Sequence, residues 1–119
     1  MLHRPKPNRY YLIHNEPVLL TETLLKELQP PNRPQPIKLT KPWLIAFGYW
    51  PDPSANSWIF EDSRLIPGMN CWLCVQTRRY IQYVHELQDL FEEEYEYTEL
   101  RLRTDPNKLH LPTIRQQVA

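Results

Sequence analysis

Glycine is almost missing from this chain: Gly48 and Gly68 are its two examples among 119 residues. A loop that cradles phosphate with backbone amides needs several glycines close together, so that kind of nucleotide site is excluded. Cysteine is just as sparse, with Cys71 and Cys74 alone. A structural zinc site would need a second ligand pair, which is not present. No apolar run approaches the roughly eighteen residues of a membrane span, and the segment after Met1 is charged rather than apolar. A cytoplasmic protein with reduced thiols is therefore expected. Net charge is lacking too: fourteen Lys and Arg balance fourteen Asp and Glu. Whole-surface attraction to nucleic acid or to membranes is not expected of such a chain.

What is abundant is proline, thirteen residues, together with four Trp, seven Tyr and three Phe. Proline cannot continue a helix interior or a central strand, so regular elements must fit between prolines. The aromatics allow a dense core in a single small domain.

The start of the chain, 1–9, reads as an extended basic arm carrying Arg4, Lys6 and Arg9. Residues 10–14 (YYLIH) are expected to form a strand, with a turn at 15–17 and a return at 18–20. Thr21 caps a short helix that ends before Pro30 and Pro31. The stretch 29–36 (QPPNRPQP) reads as a stiff polyproline-type linker. Residues 37–39 are short and extended. Thr40, Pro42 and Gly48 then bracket a second helix, with cap, tolerated first-turn proline and left-handed stop in order. Its buried side is Trp43, Leu44 and Phe47. Residues 49–57 read as a loop. Residues 57–62 (SWIFED) and 71–77 (CWLCVQT) read as an antiparallel strand pair joined by a long loop.

Residues 80–97 (YIQYVHELQDLFEEEYEY) form the strongest periodic segment, an amphipathic helix. Its apolar stripe is Tyr80, Val84, Leu87 and Phe91, widened by Tyr83 and Leu90. Residues 79–81 could instead extend the preceding strand. Residues 99–103 (ELRLR) alternate with period two and read as a last strand with Leu100 and Leu102 inward. The tail 104–119 is expected to be flexible, or to dock in extended form through Leu109, Leu111 and Ile114.

The long helix carries its charge against its dipole. Arg78 and Arg79 stand at the expected N-terminal end and Glu92, Glu93 and Glu94 at the C-terminal end, each disfavoured by about 0.3–1 kcal/mol when exposed. Glu86, Asp89, Glu92, Glu93, Glu94, Glu96 and Glu99 make an acidic block with no Lys or Arg inside it. Two explanations stand side by side. The carboxylates could meet a basic groove on a partner, or they could be paired internally, either by Arg101 and Arg103 or by Arg78 and Arg79 folding back.

Other chemistry is weakly signalled. Cys71 and Cys74 make a C-x-x-C, but Trp72, Leu73 and Val75 place it in a buried strand rather than at a helix start, so both thiols read as inert. His3, His14, His85 and His110 are scattered, and His85 reads as a packing residue. Carboxylates on a single helix face cannot oppose each other across a cleft, as glycosidase chemistry requires. Trp58 and Trp72 sit among apolar neighbours and read as core rather than as a stacking platform.

Residues 37–49 (IKLTKPWLIAFGY), the SWIF strand and 81–91 (IQYVHELQDLF) resemble a group of small proteins of Bacteroidetes-type bacteria, their phages and mobile elements. Their motifs run P-[IL]-x-L-T-x-x-W-L-x-x-F-G-F and I-x-Y-V-H-x-L-Q-N-L-Y. Residues 10–22 (YYLIHNEPVLLTE) are similar to that group's opening hairpin, and the likeness covers about 10–103. Lys41 and Pro42 replace a glutamate-rich helix start, and the tail departs. The group has no assigned function. The resemblance therefore implies a fold and an origin, and by association a host-directed inhibitor.

These observations give an α+β expectation: an antiparallel sheet of four to five strands, packed by one long C-terminal helix and one or two short ones, in a single domain over 10–103. The functional expectation is a non-enzymatic protein-binding accessory protein, such as an inhibitor of a host defence nuclease of the anti-CRISPR type. Its contact surface would be Glu86, Asp89, Glu92, Glu93, Glu94 and Glu96 with Arg78 and Arg79, facing a basic partner, with no cofactor and no metal. The alternatives are a nucleic-acid binder using Arg78, Arg79, Arg101 and Arg103, and a homo-oligomeric structural module.

Overall fold

A computed structural model describes residues 5–28, 33–95, 98 and 100–104. Expectations for Glu96, Glu99, part of the proline linker, the first four residues and the tail from 105 lie outside these.

The turns replace missing glycine with asparagine. Asn8, Asn15, Asn56 and Asn70 all hold φ between 47° and 63°, the left-handed region that asparagine tolerates better than most side chains. Strands β1 (Tyr10–Ile13) and β2 (Glu16–Leu19) form an antiparallel hairpin. His14 and Asn15, at φ 53° and 63°, are its two-residue loop, the geometry that matches strand twist. The turn thus falls one residue earlier than expected, and Glu16 already pairs with Ile13. Pro17 sits opposite Leu12, whose backbone N–H and C=O both bond Gln35 on the other side. Proline therefore withholds no donor that the hairpin needs.

Helix α1 (Glu22–Glu27) is capped as expected: Thr21 Oγ1 accepts from Leu24 N at 3.1 Å. Helix α2 (Lys41–Phe47) buries Trp43, Leu44, Ala46 and Phe47 and stops at Gly48, φ 110°. A side chain there would strain the left-handed backbone and press on Phe60 and Arg103.

A five-stranded antiparallel sheet follows in sequence order: β3 (Trp50–Asp52), β4 (Ser57–Phe60), β5 (Ser63–Pro67), β6 (Trp72–Cys74) and β7 (Arg79–Ile81). Two expectations change here. The stretch read as a loop contains β3, whose two flanking positions pair with β4 around Pro51; an edge strand tolerates proline where a central one does not. The two expected strands do not pair with each other either, because β5 lies between them. The long-loop reading missed the five residues Ser63–Pro67.

Helix α3 spans Val84–Glu94, shorter than the 80–97 read from periodicity. Tyr80 and Ile81 belong to β7 and Tyr83 is the N-cap. Residues 37–39 hold this junction through an isolated antiparallel bridge between Lys38 and Tyr83, with Leu39 N bonding Gln82 O and Val84 N bonding Ile37 O. Extended pairing on both sides therefore outweighs helical spacing there. The expected strand at 99–103 does not form among the described residues, although Leu100 and Leu102 do pack against the core. The protein is α+β, with α2 and α3 sharing one core with the inward side of the large sheet: Leu44, Phe47, Leu87, Leu90 and Phe91 meet Phe60, Leu65, Trp72, Cys74 and Ile81.

Candidate functional site

Two surfaces hold the residues that chemistry could use, and they differ in what has already claimed them. The first is the polar side of α3. Arg9 from the arm lies across it, its side chain 5% exposed, with Nε donating to Asp89 Oδ1 at 2.8 Å and a terminal nitrogen 3.2 Å from Glu92 Oε2. Lys6 adds a longer contact to Asp89 at 3.6 Å. Burial works against the charge on Arg9, yet the bonds to Asp89 and Glu92 outweigh it and hold its pKa above the ordinary arginine value. Gln88 completes this clamp. Its Oε1 accepts from Tyr10 N at 2.9 Å, and its Nε2 donates to Asn8 O at 3.4 Å. Tyr11 stacks on His85 at 5.0 Å, and Tyr83 lies parallel to the same imidazole at 5.7 Å. Burial first, and Asp89's charge second, push the Tyr11 phenol up to about 12.

The other glutamates are engaged too. Glu86 accepts from the backbone N–H of Gln82 at 2.7 Å and of Tyr83 at 2.9 Å, closing the free amides at the helix start, where a carboxylate also suits the dipole. Arg79 reaches Glu93 at 2.8 Å and Glu94 at 3.9 Å. This corrects the expected polarity. Arg79 is not on the helix at all: β7 runs back beside α3, so its first residue lies at the helix's C-terminal end, where a cation is favourable. Arg78 holds a positive-φ position in the β6–β7 turn. Of the two internal pairings expected, Arg79 makes one. Arg103 instead lies over the Phe60 ring, 5.0 Å from its centroid. Arg9, the main internal partner, was missed because eighty residues separate it from Asp89 and no local spacing signals the contact.

The second surface is the outward face of the large sheet. Register places Trp50 beside Ile59 and Ile59 beside Arg64, with Val75 N bonding Arg64 O as the next member of that row. A neighbouring row runs through Ile66, Leu73 and Tyr80. Alternation puts these side chains opposite Phe60, Leu65 and Trp72, away from both helices. Trp50 is 69% exposed and Tyr80 71%. The centre of the face is polar but satisfied. Arg64 bonds Asp52 Oδ2 at 3.2 Å and donates to Ser57. The Ser54 hydroxyl, then Arg64, hold the Asp52 carboxyl below its usual range. An open groove of about 470 Å³ borders this face, lined by Gly48, Trp50, Ile59, Phe60, Glu61 and Arg103. Reading β3 as loop removed the strand that carries the most exposed tryptophan.

Trp72 is core, its indole N–H donating to Leu39 O at 2.9 Å, and Trp58 packs edge-on against it at 6.4 Å. Cys74 is buried and Cys71 half-buried just ahead of β6; both are free. Among the described residues no group of three His, Cys, Asp or Glu is placed to hold a metal ion, and no helix is long and apolar enough to cross a membrane. Comparison with protein-family models, with curated proteins and with solved structures finds no match to this chain.

Proposed function

We propose that this chain is a non-enzymatic protein-binding module whose contact surface is the open face of the five-stranded sheet rather than the acidic helix. One observation carries the reading. Trp50 and Tyr80 are largely solvent-exposed on a sheet face that also presents Ile59, Ile66, Leu73 and Val75, whereas the carboxylates from Glu86 to Glu94 already have partners within the chain. Aromatic anchors of this kind dominate protein interfaces, and paired surface charges contribute little. A protein partner suits the face better than nucleic acid does. The central cation, Arg64, is tied to Asp52 and Ser57, and phosphate contacts need free cations. The resemblance to phage and mobile-element proteins extends the proposal by association: the partner would be a host protein, and the effect on it inhibition.

The test compares two surface variants for the partner captured on the immobilised chain. Trp50→Ser with Tyr80→Ser should weaken binding about tenfold or more, since buried aromatic anchors contribute roughly 2 kcal/mol each. Glu93→Lys with Glu94→Lys should leave it within a few-fold. Binding that survives the first pair and fails with the second contradicts the sheet-face reading. A steep fall of affinity with salt for short DNA or RNA would favour nucleic acid instead.

A further inference from the structure

We propose that the cleft between residues 38–42 and the β5–β6 turn binds a small organic carboxylate with an apolar body. The cleft shares no residue with the open sheet face, so this site stands apart from the protein-binding reading.

Two fixed walls make the cleft. The first is residues 38–42. Leu39 N bonds Gln82 O, and Leu39 O accepts the Trp72 indole N–H at 2.9 Å. The second is the turn from Pro67 to Cys71, closed by Gly68 N donating to Cys71 O at 2.9 Å. Lys38 Nζ donates to Asn70 Oδ1 at 3.3 Å and ties one wall to the other. Pro42 and Pro67, one on each wall, have a fixed φ and no N–H to satisfy. Walls held in this way keep the opening formed before a ligand arrives. Its volume is about 410 Å³, within the range of about 300–1,000 Å³ that small-molecule sites occupy.

The lining decides the class of ligand. Leu39, Pro42, Pro67 and Trp72 make it mainly apolar. Lys38 and Lys41 add two cations, and no Asp or Glu lines it. Neither lysine makes an ion pair among the described residues. The bond from Lys38 goes to a neutral amide, which leaves its charge uncompensated. Thr40, at the N-cap of α2, makes no side-chain cap bond, so its hydroxyl is not committed to the helix. An apolar cavity with a few convergent polar groups is the usual form of a small-molecule site. Here the polar groups call for one negative charge, and the rest of the lining calls for an aliphatic or aromatic body. Inorganic phosphate would meet the lysines but leave the apolar lining in water.

The scarcity of glycine makes the test direct. Gly68 lines this cleft, and Gly48 lines the separate groove beside Trp50. Isotope labelling of glycine alone therefore gives two amide signals, one for each opening. The probes are phenylbutyrate and its uncharged amide, phenylbutyramide. Phenylbutyrate should shift the Gly68 signal saturably, with a dissociation constant of about 2 mM, as suits a ligand of about a dozen heavy atoms. Gly48 should not move. Phenylbutyramide should bind about fivefold more weakly, the effect of losing two exposed ion pairs. Lys38→Gln with Lys41→Gln should weaken phenylbutyrate by about the same factor and leave phenylbutyramide unchanged, with an unaltered Gly48 signal showing that the variant is folded. A Gly68 signal that does not respond, or equal affinity for acid and amide, overturns the proposal. A saturable shift at Gly48 alone also overturns it and moves the site to the groove beside Trp50. Displacement of phenylbutyrate by an equal concentration of inorganic phosphate overturns the apolar half of the recognition.

Discussion

The polar side of α3 and the outer face of the sheet teach opposite lessons about conspicuous residues. The helix is where the sequence draws the eye, with acids at 86, 89 and 92–94 and no base among them. In the fold those acids are structural fasteners. Asp89 and Glu92 grip a nearly buried guanidinium from the other end of the chain, Glu86 closes a helix start, and Glu93 receives Arg79. The sheet face contributes no run of charge and no motif. Yet Trp50 and Tyr80 stand there largely uncovered. Charge in a sequence shows a need for partners without showing whose, and burial alone decides which apolar residues are left over.

That contrast can be broken by substitution. Asp89→Asn should have the largest effect. It leaves Arg9 buried without its main counter-charge, a change that costs about 3 kcal/mol when one partner of a buried pair is removed, read as a lower urea midpoint. If the helix acids were merely a solvated surface, the midpoint would hardly move. Glu86→Ala should cost about 1 kcal/mol through loss of the helix-start bonds, and thermal unfolding measures it.

How much of this was legible varies by element. The second helix could be read almost completely, because Pro42 and Gly48 act locally and their meaning does not depend on distant residues, although Thr40 stands at the N-cap without making the expected side-chain bond. The junction at 79–83 could not: Tyr80 and Ile81 fit a helical stripe as well as a strand, and only pairing with β6 and residues 37–39 decides. β3 was hidden by Pro51 and Pro53, which read as loop unless the strand is known to lie at an edge. The candidate site was legible in part. The acids were identified, but their main partner, Arg9, is set by tertiary packing, as is the open face.

Alkaline titration should sharpen the comparison on the clamped side. The folded chain keeps Tyr11 protonated up to about 12, while the unfolded chain ionises near pH 10. The corresponding stability is full below about pH 10 and is lost as pH rises toward 12. Tyr49, also raised by burial, works in the same direction. Tyr11→Phe should therefore flatten the alkaline decline in part, which chemical denaturation at several pH values would show; an unchanged slope would mean that Tyr11 is not held neutral by the clamp. The smallest effect belongs to the open face: Trp50→Ser with Tyr80→Ser should shift stability by no more than about 0.5 kcal/mol, as at other exposed positions. A large loss in the same unfolding assay would mean that these rings support the fold.

The central claim, that the acids of α3 are committed inward, is tested most directly by a double-mutant cycle on Arg9→Met and Asp89→Asn, using equilibrium unfolding of both single variants and the pair. A coupling of about 1.5 kcal/mol or more is predicted, within the range for directly contacting charged groups. A coupling indistinguishable from zero would contradict it and return the acidic helix to consideration as the contact surface.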